Sequence, residues 1–308
     1  MSAAELKYVR EGVTCDIRAD GRRRGETRRR LVVLNELASA AGTARVTLGI
    51  DTEVFVVVKL QVASPNTEGV TESKDESDTK DVMTDTDDVE ESNIRGSSGE
   101  RGFAQVHVRL SPTLRGQLSD SDADDMCVAL RSQLRTLLRD GAELWRTLCI
   151  VPGRAVWALH IDVVVERNGG AVLDAANFAI VAALKQVWIP PTKIVHNDDG
   201  EGDDFELIDD VSKYTSLDVS DLPLCLSFCR LGSFFVVDAS SLEEKASEAK
   251  IAVAVDRQAQ LCATMKLGAG AIQHSAFFEM TRVAKSSARD LFAQLDAIEV
   301  QELLVDDE

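Results

Sequence analysis

Short apolar runs separated by turn residues dominate the chain from residue 31 onward. Residues 31–62 contain three runs rich in β-branched residues, LVVLNELASA, TARVTLGI and EVFVVVKLQVA, with breaks at AGT and at IDTE. Runs of this length, bounded by small and polar turn residues, are typical of strands. The pattern predicts an antiparallel meander, and a further strand-like run, FAQVHVRL, begins at residue 103.

A helical period replaces the strand pattern in residues 121–140, SDADDMCVALRSQLRTLLRD. Asp and Ser crowd its first turn and Arg ends its last turn, which is the arrangement that the helix dipole favours. Two strand-like runs and an NGG turn follow, and then DAANFAIVAALKQVW, which is apolar on nearly every side. We expect this second helix to be buried between layers, with Asp174 as its N-cap.

The same order of elements returns in the second half of the chain. Short strand-like runs surround an acidic loop, four longer runs follow from residue 222, and a helical pattern covers residues 274–304. Strands followed by a helix in both halves predict an α+β fold with two related lobes of mixed β-sheet packed with helices. The predicted division is a basic N-terminal segment, a first domain and a second domain, covering residues 1–30, 31–190 and 191–308.

Composition sets broad limits on this picture. The chain has 308 residues, 44% of them hydrophobic, which is enough for a substantial core in one large or two medium domains. No apolar run reaches the ~18 residues of a membrane span, and the N-terminal MSAAELKYVREG lacks the apolar core of a secretory signal. The six cysteines follow no framework, which indicates reduced thiols in an intracellular protein.

Charge is distributed very unevenly along the chain. The net charge is −18, but residues 66–100 alone hold 12 acidic and 3 basic residues, and residues 198–210 hold 8 acidic residues and no base. The remainder is nearly neutral and leaves room for a local basic surface. Residues 64–100 contain almost no large apolar side chain, so we expect a disordered acidic insertion within the first domain.

Several residue patterns could carry chemistry, each with a plainer interpretation. Arg131 and Arg135 stand four positions apart on one helix face, which fits either a solvated surface or a phosphate clamp. Six arginines between residues 22 and 30 fit nuclear localisation or RNA contact. Cys225 and Cys229 lack the further ligands that a metal site needs. No nucleotide-binding or hydrolase signature is present, so no cofactor is expected.

The stretch VVDASSLEEKASEAK, residues 236–250, resembles the frame of an acidic catalytic loop. A strand runs into Asp238, carboxylates follow, and Lys250 ends the stretch. Ser241 and Glu244 fit the S-x-x-E pattern of a capping box, which favours a local structural role for Glu244.

A set of segments resembles the RNase PH family, specifically the ring subunits of the RNA exosome. The matching segments are YVREG to IRADGR (8–22), GTARVTLGIDTEV (42–54), TLCIVPGRAV to ALKQVWIP (147–190) and LPLCLSFCRL to AKIAVAV (222–255). The IRADGR stretch, the GG-x-x-x-DAA turn and the VVDASSLEE loop stand in the order that the family has. The resemblance covers nearly the whole chain and implies an RNase PH-like fold.

The resemblance also implies roles for individual residues. In catalytic members the strand ends in Asp, and two acidic residues follow six and twelve positions later; here these positions are Asp238, Glu244 and Lys250. A lysine inverts the local charge and cannot act as a carboxylate acid or a metal ligand. The implied active site is therefore degenerate, as in non-catalytic ring subunits. Arg131 and Arg135 match a pair that contacts RNA near the neighbouring subunit's active site.

The implied function is that of a non-catalytic structural subunit of the exosome core ring. Such a subunit supports 3′–5′ RNA degradation and processing, including ribosomal RNA maturation, in the nucleus with its nucleolus and in the cytoplasm. The implied partners are other RNase PH-type subunits in a hetero-hexameric ring, RNA-binding cap subunits and single-stranded RNA. No metal site is implied. Two alternatives stay open: an active phosphate-dependent 3′–5′ exoribonuclease, and a regulatory protein on the same fold without RNA contact.

The resemblance leaves two acidic stretches unexplained, the insertion 64–100 and the loop 197–210. Because an acidic segment repels RNA, we expect the insertion to project away from any RNA channel.

Overall fold

The computed structural model describes residues 2–65, 101–139, 142–195 and 204–298. The acidic insertion was predicted to be disordered and to project outward. Its residues 66–100 lie outside the described ranges. Within the described ranges, no helix combines the length and the apolar character that crossing a bilayer requires.

Two larger β-sheets and two short strand pairs organise the described residues. The first sheet consists of β1 (Arg30–Leu34), β2 (Gly42–Leu48), β3 (Thr52–Ala63), β4 (Phe103–Leu110), β5 (Cys149–Val151) and β6 (Ala155–Arg167). Its strand order is β1-β2-β3-β6-β4, with β5 paired to β6. Strands β1 to β3 form the predicted antiparallel meander. Strand β4 pairs with β6 in parallel, so this sheet is mixed.

The remaining strands belong to the second half of the chain. They are β7 (Trp188–Ile189), β8 (Thr192–Val195), β9 (Asp204–Leu207), β10 (Thr215–Ser216), β11 (Leu224–Leu231), β12 (Phe234–Val237), β13 (Ala249–Val255) and β14 (Leu261–Lys266). The last four form the second sheet in the order β12-β11-β13-β14, antiparallel throughout. Strands β7 and β8 pair with β10 and β9, respectively.

Seven α-helices accompany the sheets in the described part of the chain. They are α1 (Ala3–Thr14), α2 (Pro112–Arg115), α3 (Asp120–Leu138), α4 (Ala142–Thr147), α5 (Val172–Leu184), α6 (Ser241–Ala246) and α7 (His274–Asp296). Helices α3, α5 and α7 were expected from the sequence, whereas α1 was not. The helical pattern after residue 298 lies outside the description.

Helix α5 is the centre of the core, as its apolar sequence predicts. All thirteen of its residues are buried, and it packs against β2 and β3 of the first sheet and β11 of the second. The helix therefore ties the two lobes together.

The start of α5 differs from the expectation, because Asp174 is not its N-cap. The N-cap is Ala171, in a left-handed conformation with φ 52° and no side-chain cap of its own. Asp174 lies inside the first turn and is buried. The preceding Gly170 has φ +99°, and a Cβ atom there would lie 2.3 Å from the backbone oxygen of Ala239. Only glycine fits this close approach between the NGG turn and the α6 loop.

Candidate functional site

The α6 loop, which connects β12 to β13, folds against the NGG turn before α5. Ser241 donates its backbone N–H to the oxygen of Gly169 at 2.7 Å. Asp238 begins the loop in a left-handed conformation with φ 49°. The N-terminus of α5 and the carboxylates of the α6 loop therefore lie next to each other.

Asp238 is fully buried and bound to arginines of the N-terminal segment. Its carboxylate accepts hydrogen bonds from the backbone N–H of Arg28 at 2.6 Å and from Nη2 of Arg28 at 2.6 Å. Nε of Arg28 also donates, at 3.0 Å to Oδ1, and Arg22 donates from Nη1 at 3.1 Å. Burial alone would raise the pKa of Asp238, but the hydrogen bonds and charge of Arg28 outweigh it and lower the pKa. Asp238 is thus a structural anchor.

Glu243 forms a second buried ion pair. Arg18 donates from Nε to Oε1 at 2.7 Å and from Nη2 to Oε2 at 2.6 Å, in a bidentate geometry. Glu243 also accepts the backbone N–H of Ser240, whose hydroxyl accepts the N–H of Glu243, so the capping box is Ser240–Glu243. The expected box at Ser241 and Glu244 was wrong by one residue. Both serines satisfy the S-x-x-E pattern, and the distant Arg18 selects between them.

Glu244 instead spans the gap between the loop and α5. Its Oε1 accepts the backbone N–H of Ala171 at 2.8 Å, and its Oε2 lies 2.9 Å from Nζ of Lys250. A carboxylate at a helix N-terminus satisfies an otherwise unpaired N–H and interacts favourably with the dipole. Glu244 therefore supplies, from a different element, the cap that Ala171 lacks.

A cavity of about 380 Å³ lies over the Glu244–Lys250 pair. Its wall comes from one face of α3, the NGG turn, β11 and the α6 loop, through residues that include Met126, Gln133, Asn168, Ser227, Glu244 and Lys250. The structure thus brings Glu244 and Lys250 together in one cavity and keeps Asp238 out of its lining. The one carboxylate that lines the cavity is already neutralised by an ammonium group.

Asp174 lies behind the same wall, and its environment was not anticipated from the sequence. Its Oδ2 accepts the backbone N–H of Ser227 at 2.8 Å and the Ser227 hydroxyl at 2.9 Å. Complete burial raises the pKa of Asp174 to about 7, since the two bonds from Ser227 compensate only in part. Asp174 and Asp238 are both buried carboxylates, yet their pKa values move in opposite directions. Direct bonds from a guanidinium make the difference.

The two cysteines of CLSFC are buried in β11. Burial raises the pKa of Cys229 to about 12 and raises that of Cys225 well above its ordinary value. Both side chains are therefore protonated thiols near neutral pH and poor nucleophiles. In the part of the chain that is described, no group of His, Cys, Asp and Glu is arranged to hold a metal ion.

Arg131 and Arg135 are both exposed on α3. They lie about 150–170° around the helix from the face that lines the cavity, so they point away from this chain's own cavity. Arg139, one turn further on, is also exposed and extends the row. The described residues provide neither an ion pair nor a hydrogen bond for Arg131 or Arg135. The row can therefore engage an anion from outside the chain.

The N-terminal arginines divide into bound and exposed groups. Arg18, Arg22 and Arg28 hold the α6 loop. Among the other arginines of this segment, Arg24 pairs with Asp16 and stacks over the ring of Phe234 at 4.2 Å. Arg30 lies 5.7 Å from the ring of Phe178, whereas Arg23 and Arg29 are exposed.

Two family models match this chain. Residues 26–190 match domain 1 of the 3′ exoribonuclease family, and residues 221–287 match domain 2 of the same family. An exosome complex component Rrp42 of Sulfurisphaera tokodaii is 28% identical over 91% of this chain and 88% of its own length. A Dictyostelium discoideum protein, provisionally named exosome complex exonuclease RRP42, is 26% identical over 92% and 93%. The likeness to RNase PH-type proteins inferred from the sequence is confirmed.

Solved structures share the fold. A chain of the Archaeoglobus fulgidus exosome with RNA bound to the active site superposes with a TM-score of 0.72 at 22% identity, over 94% of this chain and 97% of that chain. A chain of an archaeal exosome core gives a TM-score of 0.70 at 22% identity, over 95% and 96%. The predicted two-lobed RNase PH-like α+β fold is therefore confirmed.

Proposed function

We propose that this chain, which belongs to the 3′ exoribonuclease (RNase PH) family, is a non-catalytic ring subunit of an RNA exosome core. In this role it supports 3′–5′ RNA degradation and processing, including ribosomal RNA maturation, through the shape and charge of its surfaces. The relatives named Rrp42 support the assignment to an exosome.

The observation that carries the proposal is the ion pair inside the cavity. Catalytic members are expected to present two acidic groups at the positions of Glu244 and Lys250. Here the second group is an ammonium 2.9 Å from the first, and Glu244 is further engaged by the N–H of Ala171. Both oxygens of the Glu244 carboxylate are thus occupied by donors of this chain, and the site lacks its second acid. Inactivity of the isolated chain follows.

The exposed arginine row on α3 supports a role in RNA contact. Guanidinium groups bind phosphates in a bidentate geometry, and such contacts to a backbone are tolerant of sequence. Because Arg131 and Arg135 point away from the local cavity, their phosphate ligand has to lie outside this subunit. We therefore propose that the pair contacts single-stranded RNA in a channel shared with a neighbouring RNase PH-type subunit.

An edge of the first sheet supports assembly with such neighbours. Strand β1 is terminal in the strand order, and its side chains Leu31 and Val33 are 57% and 41% exposed at alternate positions. An apolar edge strand with free backbone groups favours pairing with another chain. We propose that another RNase PH-type subunit covers this edge in a hetero-hexameric ring, which also carries RNA-binding cap subunits.

A second candidate function is an active phosphate-dependent 3′–5′ exoribonuclease. The observation in its favour is that the cavity of about 380 Å³ persists with Glu244 in its wall. The same assay separates both functions: the purified chain is incubated with single-stranded RNA and phosphate, and nucleoside diphosphates are measured. We expect no phosphate-dependent release from the wild type. Release that is lost in Glu244→Gln would establish the enzyme and overturn the scaffold proposal.

Assembly is tested in the source cell. A tagged copy is purified under native conditions, and the intact eluate is weighed by native mass spectrometry. We expect a single hetero-oligomer that contains this chain once. A homo-oligomer or a monomer would refute the ring proposal.

The RNA contact needs its own test, because a regulatory protein on the same fold would assemble without it. The variant Arg131→Glu/Arg135→Glu is incorporated into the complex, and crosslinking of RNA to this chain is compared with the wild type. We expect a clear loss of crosslinks, and unchanged crosslinking would favour the regulatory alternative. The matched control is Lys193→Glu/Lys245→Glu, which changes two exposed lysines on other elements by the same charge.

The proposed location is the nucleus, including the nucleolus, and the cytoplasm. It follows from the exosome proposal alone, since ribosomal RNA maturation and RNA degradation take place in these compartments. Fluorescence microscopy of the tagged chain at its native expression level provides the check.

A further inference from the structure

Helix α7 presents a second row of basic side chains on its outer face. Phe278, Arg282, Lys285 and Arg289 are all exposed and follow one another at intervals of four, three and four residues. These intervals place the four side chains within an arc of about 60° and over about 16 Å of helix. The result is one continuous stripe with one residue at each turn, which we call the α7 stripe.

The cations of the α7 stripe are unneutralised in a strongly acidic chain. Several exposed bases elsewhere in the chain pair with acids, as Lys213 does with Asp210 at 2.7 Å. For Arg282, Lys285 and Arg289, the described residues provide no ion pair and no hydrogen bond. Of the acidic residues of α7, Glu279 and Asp290 lie about 60–80° around the helix from Arg282. Asp296 lies in the same arc as the stripe, about two turns beyond Arg289, and pairs with Arg257 at 2.8 Å. Three adjacent free cations therefore form a site of positive potential that attracts a polyanion.

Phe278 adds a specific feature to one end of the stripe. It is 67% exposed, whereas the other nine phenylalanines of the chain are at least partly buried. Its ring packs edge to face on Phe277, with centroids 5.9 Å apart and an interplanar angle of 64°. The ring is thus oriented by a neighbour and yet open to solvent. An exposed aromatic beside cations is the arrangement on which unpaired bases stack.

The other end of the stripe borders an open hollow of about 720 Å³. Lys285 and Arg289 form one side of it, and the turn between β13 and β14 forms the other. Arg257 in the same hollow is already paired with Asp296 at 2.8 Å, so the free positive charge comes from the stripe. The hollow gives a bound chain room to follow the helix past Arg289.

We infer that the α7 stripe binds the backbone of single-stranded RNA, with one unpaired base stacked on Phe278. The cations recur every 4.5–6 Å along the helix axis, a spacing that lets them contact successive phosphates. An acidic protein segment would also complement the charge, but single-stranded RNA combines phosphates for the cations with flat bases that stack on the open ring. The inference rests on the proposed RNA-related function and assigns the chain a second RNA contact, on a helix different from the Arg131 and Arg135 row.

The test uses the full chain and fluorescein-labelled single-stranded oligouridylate at low ionic strength, with fluorescence anisotropy as the readout. The triple variant Arg282→Glu/Lys285→Glu/Arg289→Glu is expected to bind at least about tenfold more weakly. Its plot of log affinity against log salt concentration should be less steep by about 2, because three phosphate contacts are lost. Phe278→Ala is expected to weaken binding several-fold without changing that slope, because it removes stacking and no charge.

The matched control reverses three exposed bases that lie on three different elements, in the variant Arg109→Glu/Lys193→Glu/Lys245→Glu. Its net charge changes by the same amount, so we expect binding within about threefold of the wild type and an unchanged salt slope. An equal loss in both triple variants would show a bulk charge effect and overturn the inference. Circular dichroism confirms that all variants are folded.

Two further outcomes separate this inference from the proposed function. If the α7 variant binds RNA like the wild type while Arg131→Glu/Arg135→Glu loses binding, the α7 inference is refuted and the proposed channel contact stands. If the α7 variant instead loses affinity only for a labelled oligoglutamate peptide, the stripe is a site for an acidic protein, and the RNA inference is again refuted.

Discussion

Adjacent glutamates of α6 lie in two different electrostatic environments. Glu243 is buried and forms a bidentate pair with the buried Arg18, 225 positions away in the chain. Glu244 is partly exposed, lines a cavity, and pairs with Lys250 only six positions away. Both glutamates are hydrogen-bonded carboxylates with a cationic partner, so the type of partner does not distinguish their environments. The two pairs differ in burial and in the distance along the sequence between the partners.

The comparison teaches which ion pairs hold the fold and which belong to a site. A buried charge costs several kcal/mol when its partner is removed, because it is left without water or a counter-charge. A partly exposed pair is screened by solvent and contributes about 0–1 kcal/mol. The arginines of the N-terminal segment therefore fasten that segment to the second sheet through Asp238 and Glu243. The Glu244–Lys250 pair contributes little to stability and supplies the charged groups that line the cavity.

The largest expected effect comes from removing a buried charge, that of Asp238. The substitution Asp238→Asn keeps the shape and tolerates the left-handed conformation, but it leaves the buried Arg28 without its counter-charge, whereas Arg22 keeps its ion pair with Asp20. We expect a loss of about 3–5 kcal/mol in the free energy of unfolding, measured by urea titration. A loss below about 1 kcal/mol would contradict the assignment of Asp238 as an anchor.

A sharper test makes the same substitution at the two neighbouring glutamates. Glu243→Gln leaves Arg18 buried without a counter-charge, and we expect it to cost about 3 kcal/mol. Glu244→Gln keeps an acceptor for the N–H of Ala171 and is expected to cost under about 1 kcal/mol. Urea titrations of both variants provide the comparison. Equal losses would show that burial does not distinguish the two sites.

The pH dependence of stability extends the comparison to Asp174, which is buried without a bonded guanidinium. Its pKa in the folded protein, about 7, lies above the ordinary value of 3.8. The unfolded chain therefore ionises first, and stability should fall as pH rises from about 4 to about 7 and then level off. The shift sets an upper limit of ~4 kcal/mol, and we expect about half of it because buried sites relax and admit water.

The variant Asp174→Asn isolates this contribution. Its carbonyl oxygen can still accept a hydrogen bond from Ser227, but it has no proton to lose. The difference in unfolding free energy between wild type and variant should change by about 2 kcal/mol between pH 4.5 and pH 7.5, with the wild type relatively weaker at the higher pH. A difference independent of pH would show that Asp174 is ionised in the folded protein throughout this range.

Asp238 affects the pH dependence of stability in the opposite direction. Because its pKa is lowered in the folded protein, its contribution to stability is lost only as pH falls below about 4.

The smallest expected effect concerns Lys250. Lys250→Met removes the ammonium from the cavity and leaves Glu244 with its bond to Ala171. Since the pair is partly exposed, unfolding free energy should change by less than about 1 kcal/mol in urea titrations. A loss of unfolding free energy as large as that of Glu243→Gln would show that the Glu244–Lys250 pair stabilises the fold as the buried ion pairs do.

Much of the fold and part of the site could be predicted from the sequence by itself. Local periodicity determined the strands of both sheets, the exposed arginines of α3 and the fully buried α5, because side-chain burial repeats with the period of the element. The sequence also shows that a lysine, Lys250, stands at the spacing from Asp238 where the resemblance to RNase PH-type proteins implies an acid. These features depend on residues that are near one another in the chain.

Only the tertiary structure decided which of the neighbouring acids is structural. The S-x-x-E pattern fits both Ser240–Glu243 and Ser241–Glu244, and the pairing with the distant Arg18 selects the first. The same holds for Ala171, whose N–H is satisfied by a carboxylate from another element. The raised pKa of Asp174 likewise depends on burial by several elements at once. Such features arise from contacts between distant segments, which local sequence patterns do not encode.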